Sequence, residues 1–237
     1  METSIGEIIR ANYGGRNPFV SISRPYRQQY NIDRELEVIE AIGKSRSNRF
    51  VIDSDNEFVY RNFLMWLWND PRMVCHTPSG EQTKGRLTAG IYISGNTGSG
   101  KSWVMEIMGV YARIIKQPIL TRYKSSLTWT CLRTDDATRY YSRTGDLESI
   151  NSMDIVCFQD LGAEPVESVF MGNRIFVMRN ILEARGDMSG KITHITSNLP
   201  INGSHTIERY GDRIVSRLQE MCNYFELVGQ DRRAYGY

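Results

Sequence analysis

The stretch Gly95-Asn96-Thr97-Gly98-Ser99-Gly100-Lys101-Ser102 matches the phosphate-binding loop pattern G-x-x-x-x-G-K-[ST] at every fixed position. Its glycines let the backbone turn tightly enough for successive N–H groups to point at phosphates, and the helix that begins here adds positive potential. Lys101 is expected to reach the phosphate oxygens, and the Ser102 hydroxyl to hold Mg²⁺. The sequence therefore predicts that residues 95–102, with Trp103 directly after them, bind a nucleoside triphosphate.

The segments on both sides of this loop have the pattern that it requires. Residues 87–94 read as a buried strand, and residues 103–115 carry apolar side chains at helical spacing. The rest of the chain continues this alternation, with predicted strands at 126–132, 155–158, 192–197 and 224–228 and predicted helices at 134–141, 170–184 and 207–221. Strands that alternate with helices indicate a three-layer α/β fold, a parallel sheet covered by helices on both faces.

The composition is typical of a globular protein and narrows the functional classes. Of 237 residues, 41% are hydrophobic and 24% charged, and 29 basic against 27 acidic side chains leave a net charge of +2. Because this balance gives no bulk positive field, a nucleic-acid partner would need locally placed basic groups. The four cysteines form no C-x-x-C pair, which indicates neither a zinc site nor a disulfide framework.

No targeting or membrane segment is expected. The N-terminus lacks the basic start and apolar run of a signal peptide. The longest apolar cluster, residues 58–68, is too short to span a bilayer. We therefore expect a cytoplasmic protein without a membrane partner.

The chain divides into a short N-terminal appendage and one larger domain. Residues 1–47 are predicted to form an irregular arm and a short amphipathic helix at 32–42, capped by Asn31 and stopped by Gly43, a candidate partner-binding segment. Residues 48–237 are predicted to form one nucleotide-binding domain around the phosphate loop. Within it, an aromatic-rich helix at 58–67 is expected to pack against the core, with partner binding as the alternative, and residues 72–88 to form a surface loop or hairpin.

Polar residues follow two of the predicted strands where the sheet should meet its ligand. Strand 155–158 is followed by Gln159 and Asp160, the position of the Walker-B pair that holds Mg²⁺ and orients the attacking water. Strand 192–197 is followed by Asn198, whose amide could bind a water or the γ-phosphate. Each has a plainer alternative, since Asp160 could cap a turn and Asn198 could simply form one.

Taken together, four motifs resemble those of the AAA+ ATPases of the DnaC-type replicative helicase loaders and their IstB-like relatives in transposition. They are the phosphate loop, Phe158-Gln159-Asp160-Leu161-Gly162-Ala163-Glu164, Thr196-Ser197-Asn198-Leu199, and Arg209-Tyr210-Gly211-Asp212-Arg213-Ile214-Val215-Ser216-Arg217-Leu218. The resemblance runs from about residue 50 to the C-terminus. It implies an AAA+ domain that binds ATP and Mg²⁺ and associates with itself into a ring or open spiral.

The same resemblance assigns roles to individual residues. Asn198 would be sensor 1. Arg217, with Arg213 one turn before it, would be the arginine finger that reaches the ATP of a neighbouring subunit, although an exposed basic helix face is the plainer reading. Arg232 or Arg233 would take the sensor-2 part. The short chain after sensor 1 implies a reduced or absent C-terminal lid.

One position departs from the family pattern. These families usually carry two acids at the end of the third strand, whereas this chain has Gln159 before Asp160. A glutamine can hydrogen-bond to the hydration shell of a cation but brings no charge, so the predicted metal set of Ser102, Gln159 and Asp160 holds Mg²⁺ mainly through the hydroxyl and the triphosphate. We therefore expect nucleotide binding with slow hydrolysis, Asp160 being the water-orienting carboxylate.

Four functions remain open on the sequence alone. The preferred one is an ATP-switched helicase loader, which assembles on single-stranded DNA and delivers a hexameric replicative helicase. A transposition helper would use the same ATPase on duplex DNA. A non-hydrolysing nucleotide-binding scaffold would fit Gln159. A small-molecule kinase would share the phosphate loop but has little room here for an acceptor lid.

Overall fold

The computed structural model describes Arg24, residues 29–117 and residues 126–232. The helices of these ranges are α1 Ile32–Arg46, α2 Glu57–Leu67, α3 Lys101–Ile115, α4 Thr134–Thr144, α5 Glu148–Asn151, α6 Val177–Asp187, α7 Ser204–Tyr210 and α8 Asp212–Met221. The strands are β1 Val74–His76, β2 Gln82–Lys84, β3 Gly90–Ser94, β4 Thr130–Arg133, β5 Ile155–Leu161, β6 Ser168–Phe170, β7 Asn173–Ile175, β8 Ile192–Ser197 and β9 Cys222–Glu226.

Seven of these strands form one sheet in the order β2-β1-β9-β3-β8-β5-β4. The five strands from β9 to β4 are parallel, with Tyr92 of β3 paired to Tyr224 on one side and Ile195 on the other. The hairpin β1–β2 adds an antiparallel edge next to β9, which confirms the hairpin alternative for residues 72–88. The mostly parallel sheet confirms the predicted α/β class.

Helices cover both faces of this sheet, because the strand side chains alternate between two cores. Ile91 and Ile93 of β3 face the core that contains α1, α2 and α3, whereas Tyr92 faces the core that contains α4, α6 and α8. Both cores hold fully buried aliphatic and aromatic side chains. The three layers place the carboxyl ends of all five parallel strands at one edge, where α3 begins.

The segment before α1 is tied to the first core by buried polar contacts. The Arg24 guanidinium lies 4.4 Å from the centre of the Trp66 ring and donates hydrogen bonds to the carbonyls of Leu87, Trp66 and Leu67. Its burial lowers the pKa of Arg24 to about 9. Arg24 belongs to the arm that is irregular by sequence, and these contacts nevertheless hold its side chain against the core.

A second polar contact fixes the end of α2. The Tyr30 hydroxyl donates to Asp70 at 2.6 Å, and the Arg72 guanidinium pairs with the same carboxylate at 2.6 Å. Burial acts to raise the pKa of Asp70, but the hydrogen bonds from Arg72 and Tyr30 outweigh it and hold the pKa at about 2.

The first helix extends further than the sequence predicts. Asn31 caps it as expected, accepting from the N–H groups of Asp33 and Arg34. Gly43, however, lies inside the helix, which ends only at Arg46. A Cβ at Gly43 would overlap the ring of Phe50. This glycine is therefore a point of close packing and not a stop signal.

The predicted helix at 170–184 is wrong in its first turns. Residues 168–175 form the antiparallel hairpin β6–β7, and α6 begins only at Val177. The turn between the two strands has positive φ at both Met171 (47°) and Gly172 (84°), a geometry that favours a two-residue hairpin connection. The apolar spacing of this segment suits either a helix or a hairpin, and the Met171-Gly172 turn selects the hairpin.

The predicted helix at 207–221 is two helices. Gly211 separates α7 from α8 and has a φ of 83° and a ψ of 156°. This backbone conformation ends the first helix, and residues with a Cβ rarely adopt it. Two strands are also displaced from their predicted positions, since β4 starts at Thr130 and β9 spans Cys222–Glu226. Within the described ranges, no helix has both the length and the apolar character needed to cross a membrane.

Candidate functional site

A cavity of about 310 Å³ opens at the carboxyl edge of the sheet. It brings together the phosphate loop from Thr97 onward, Asp160 near the end of β5, Asn198 after β8 and Arg232 after β9. These stretches are far apart in the chain. They were predicted to meet only because the carboxyl ends of parallel strands lie at the same edge of a sheet. The structure therefore gathers most of the predicted site residues around one cavity.

The phosphate loop leads directly into α3, a fifteen-residue helix whose N-terminus faces this cavity. The Lys101 ammonium is buried and folded back on its own loop, donating to the carbonyls of Gly95 at 2.9 Å and Asn96 at 2.8 Å. An ammonium carries three N–H donors, so it can turn one of them toward a phosphate. Ser99, also buried, has a hydroxyl without a hydrogen-bond partner among the described residues, a polar group suited to an incoming ligand.

The segment after β9 runs along the outer side of the phosphate loop. The Asn96 amide donates to the Gly229 carbonyl at 2.7 Å, and the Arg232 N–H donates to the Gly98 carbonyl at 3.1 Å. Asn96 therefore faces this segment with its side chain, although it was predicted to bind nucleotide. A Cβ at Gly98 would overlap the Asp231 carboxylate, so that acidic side chain lies directly against the loop.

Arg232 reaches the cavity from the same segment. Its guanidinium pairs with Asp53 at 2.7 Å, and its side chain passes close to Gly100. Burial acts to raise the pKa of Asp53, but the hydrogen bond and charge of Arg232 outweigh it and hold the pKa below its usual range. Arg232, one of the two residues predicted to take the sensor-2 part, therefore lines the cavity. Arg233 lies outside the described residues.

Asp160 projects into the cavity because the strand is irregular at this point. The pairing of β5 with β8 shifts register between Phe158 and Leu161, and Asp160 has a φ of 60°. Its N–H donates to the Thr196 hydroxyl at 3.1 Å. Left-handed backbone at a non-glycine residue costs about 1–3 kcal/mol and is concentrated at functional sites, which favours a chemical role for this carboxylate over a turn cap.

Gln159 differs from Asp160 in its surroundings. Alternation along β5 places it on the same face as Ile155 and Cys157, toward α3, and it is buried beside the cavity without lining it. Its amide nitrogen donates to Glu106 of α3 at 3.1 Å. Glu106 also pairs with Arg46 at the end of α1. The sequence reasoning missed Glu106, although its position four residues after Ser102 puts both on one helix face.

One wall of the cavity is apolar. It is formed by Phe50, Val51, Tyr60 and Leu227 together with Trp103. The rings of Phe50 and Trp103 are stacked with centroids 6.0 Å apart. A flat aromatic base could pack here while its phosphates lie at the loop, which supports the placement of Trp103 in the nucleotide-binding set.

Two further polar groups lie at the rim. Asn198 is exposed and lines the cavity, as expected for a sensor position. Arg133 also lines it and pairs with Asp160 at 3.4 Å. Arg133 is not among the predicted site residues, because the predicted strand ends at residue 132, one residue before the end of β4. Its place directly after a predicted strand was the available signal.

The two predicted finger arginines lie apart from this cavity, on α8. Arg213 pairs with Glu183 at 3.0 Å, and Arg217 pairs with Asp187, both acids belonging to α6. Their exposure differs, because the Arg213 side chain is 68% exposed and the Arg217 side chain 20%. Arg213 is therefore the more accessible of the two to a neighbouring molecule.

The donor set fits a nucleoside triphosphate with Mg²⁺. The loop, the N-terminus of α3 and Lys101 suit phosphates, and the Ser102 hydroxyl with the Asp160 carboxylate supplies hard oxygen ligands. When bound, the cation would neutralise phosphate charge.

Comparison with known proteins bears on the fold. No family model matches the chain, and no curated protein matches it. A "putative primosome component" from Streptococcus pyogenes serotype M3 has a similar solved structure, with a TM-score of 0.51 and 19% identity over 76% of this chain and 84% of that chain. The DnaC helicase loader structure gives a TM-score of 0.43 and 14% identity over 78% and 95%. The α/β fold expected from the motifs is thus confirmed: this chain shares the fold of the Streptococcus protein.

Proposed function

We propose that the protein is an ATP-dependent helicase loader that assembles on single-stranded DNA and delivers a hexameric replicative helicase. One observation carries the proposal: the phosphate loop, Asp160, Asn198 and Arg232 converge on one cavity. That is the arrangement needed to bind a triphosphate and to transmit its presence to the surrounding chain. The four-motif resemblance and the fold shared with a protein described as a primosome component direct the proposal to helicase loading.

Assembly is proposed to depend on arginines offered to a neighbouring copy. Arg213 and Arg217 lie on α8, and each is now paired with an acid of its own chain. In the assembled form such an arginine would exchange its acid for the γ-phosphate of the next subunit, which makes ATP part of the interface. A ring or open spiral follows from a head-to-tail contact of this kind.

Sizing by mass tests this proposal. The protein is measured alone, with a non-hydrolysable ATP analogue, and with the analogue plus single-stranded or duplex oligonucleotides. We expect a small species alone, a larger assembly with analogue and single strands, and loss of that assembly in Arg213→Ala or Arg217→Ala with ATP affinity retained. Binding of a replicative helicase completes the test.

Other outcomes would replace the proposal. Preference for duplex DNA and a transposase would indicate a transposition helper. Tight ATP binding without phosphate release, even with DNA and helicase present, would indicate a non-hydrolysing scaffold, the alternative that Gln159 supports. A phosphorylated metabolite would indicate a kinase.

A further inference from the structure

Gln159 stands where the family pattern has a metal-binding acid, yet a carboxylate lies within hydrogen-bond distance of it. The Gln159 Nε2 atom is 3.1 Å from Oε1 of Glu106. Its backbone is held in register with Arg133 of β4, and Glu106 belongs to α3, the helix that starts at the phosphate loop. The contact therefore joins the end of β5 to the nucleotide-binding helix.

The chemistry of this pair fixes the orientation of the amide. An ionised carboxylate has acceptors and no donor, so Glu106 can be bonded only by the NH₂ group of Gln159. The amide is planar, and its carbonyl oxygen must then face away from Glu106. An amide free to flip would present its NH₂ group part of the time, and an N–H donor cannot coordinate a cation.

We propose that Glu106 is a positioning residue of the ATP site, which holds Gln159 with its carbonyl oxygen as the acceptor and supplies nearby the negative charge that glutamine lacks. This inference rests on the proposed ATP-dependent function. The two residues together then replace the missing acid: an acceptor at position 159 and a charge on the adjacent helix.

A second contact shows that Glu106 is itself held in place. Its other oxygen pairs with Arg46 of α1, and the Arg46 guanidinium lies 4.7 Å from the centre of the Trp103 ring. The Glu106 side chain is 34% exposed. It is therefore reachable by solvent ions, and its electrostatic effect is moderated by screening.

The contact between Glu106 and Gln159 changes the expected effect of placing an acid at position 159. In Gln159→Glu, a second carboxylate would face Glu106 at hydrogen-bond distance, and two such charges repel. The single change should therefore give no gain in metal-dependent binding. The double variant Glu106→Gln/Gln159→Glu keeps one acid and one amide in contact. It should restore the metal-dependent binding.

The readout is the Mg²⁺ enhancement, the ratio of the affinities for a fluorescent ATP analogue with Mg²⁺ and with EDTA. We expect Glu106→Gln to reduce this ratio roughly three- to tenfold, the range for a partly screened hydrogen bond to a charged group, and to leave binding in EDTA within about twofold. Gln159→Glu should give a ratio below that of wild type, and the double variant should return to the wild-type ratio or above. Glu148→Gln, on an exposed helix elsewhere, is the matched control.

Arg46→Gln separates positioning from mere tethering. It breaks the ion pair between α1 and α3 but leaves the carboxylate on Gln159. If Glu106 only tethered α1, Arg46→Gln would lower the Mg²⁺ enhancement as much as Glu106→Gln does, and the inference would be overturned. Positioning requires the Arg46 variant to keep the ratio while losing some thermal stability.

The result also distinguishes this inference from the proposed function. If the wild-type protein binds no ATP, or if its ATP affinity equals that of the Lys101→Ala variant, the function and the inference are both refuted. ATP binding that is lost in Lys101→Ala, with an unchanged Mg²⁺ enhancement in Glu106→Gln, would refute the inference alone. Equal ratios in Gln159→Glu and the double variant would also refute it, because they show no coupling between the positions.

Discussion

Asp231→Asn should tighten ATP binding. The Asp231 carboxylate lies against the phosphate loop, where a Cβ at Gly98 would overlap it, and the next residue is bonded to the Gly98 carbonyl. A triphosphate that enters this loop brings several negative charges close to that carboxylate. Asparagine has nearly the same shape and removes the charge.

The size of the effect follows from Coulomb's law. At about 6 Å and an effective dielectric constant of about 40 to 80, one pair of unit charges repels by roughly 0.7–1.4 kcal/mol. A triphosphate with Mg²⁺ retains about two negative charges, and mobile ions screen part of their effect. We therefore expect a gain of about 1–2 kcal/mol, which is roughly five- to thirtyfold in affinity.

Titration of a fluorescent ATP analogue at low and high salt measures this gain. The advantage of Asp231→Asn should shrink at high salt, because the Debye length falls from about 10 Å at 0.1 M to about 3 Å at 1 M. Asp146→Asn is the control, since Asp146 caps the short helix α5 outside the cavity. Equal or weaker binding by Asp231→Asn at low salt would refute the reasoning, because the carboxylate would then stabilise the loop.

Three further predictions concern stability. Gly43→Ala should destabilise the fold by about 1–3 kcal/mol in urea unfolding, because a Cβ there overlaps the Phe50 ring; unchanged stability would contradict this packing. Asp70 has a pKa of about 2 in the folded protein, below the value of an unfolded aspartate. Its ionised carboxylate therefore stabilises the fold above about pH 4, and this stabilisation is lost as the pH falls toward 2. Asp70→Asn should remove about 1–2 kcal/mol of that pH dependence, after allowance for screening, and an identical pH profile would exclude the pair. Arg217→Ala should lower the melting temperature by a few degrees through lost packing and the lost Asp187 pair, whereas a variant as stable as wild type would show that this side chain contributes nothing to the monomer.

The sequence was most informative where the signal is local. The phosphate loop, its helix and the strand at 192–197 depend on glycines, periodicity and neighbouring residues, and each lies where it was predicted. The position of Asp160 followed from topology, since carboxyl ends of parallel strands share an edge. Its left-handed backbone did not follow, because that strain depends on the pairing of β5 with β8.

Contacts between distant residues could not be read from the pattern. Gln159 and Glu106 are 53 residues apart, and Arg24 reaches a carbonyl 63 residues away. An arginine in an irregular arm usually lies in water, and only the location of Trp66 in the folded chain makes its burial favourable. The helix predicted from residue 170 failed for a related reason, since the same apolar spacing suits a hairpin whose turn begins at Met171.

Two segments contact the nucleotide-binding elements, the end of α1 and residues 229–232, and both are placed to respond to ATP. Arg46, at the end of α1, contacts Glu106 and Trp103, and residues 229–232 run along the phosphate loop. Both segments therefore touch the elements that a triphosphate must engage. Residues 229 and 232 contact the loop at Asn96 and Gly98, and the Asn96 carbonyl also accepts a hydrogen bond from Lys101. In the proposed assembly, ATP would act through contacts that differ between the free and bound states, and the contacts of residues 229–232 with the loop are candidates for them within one subunit.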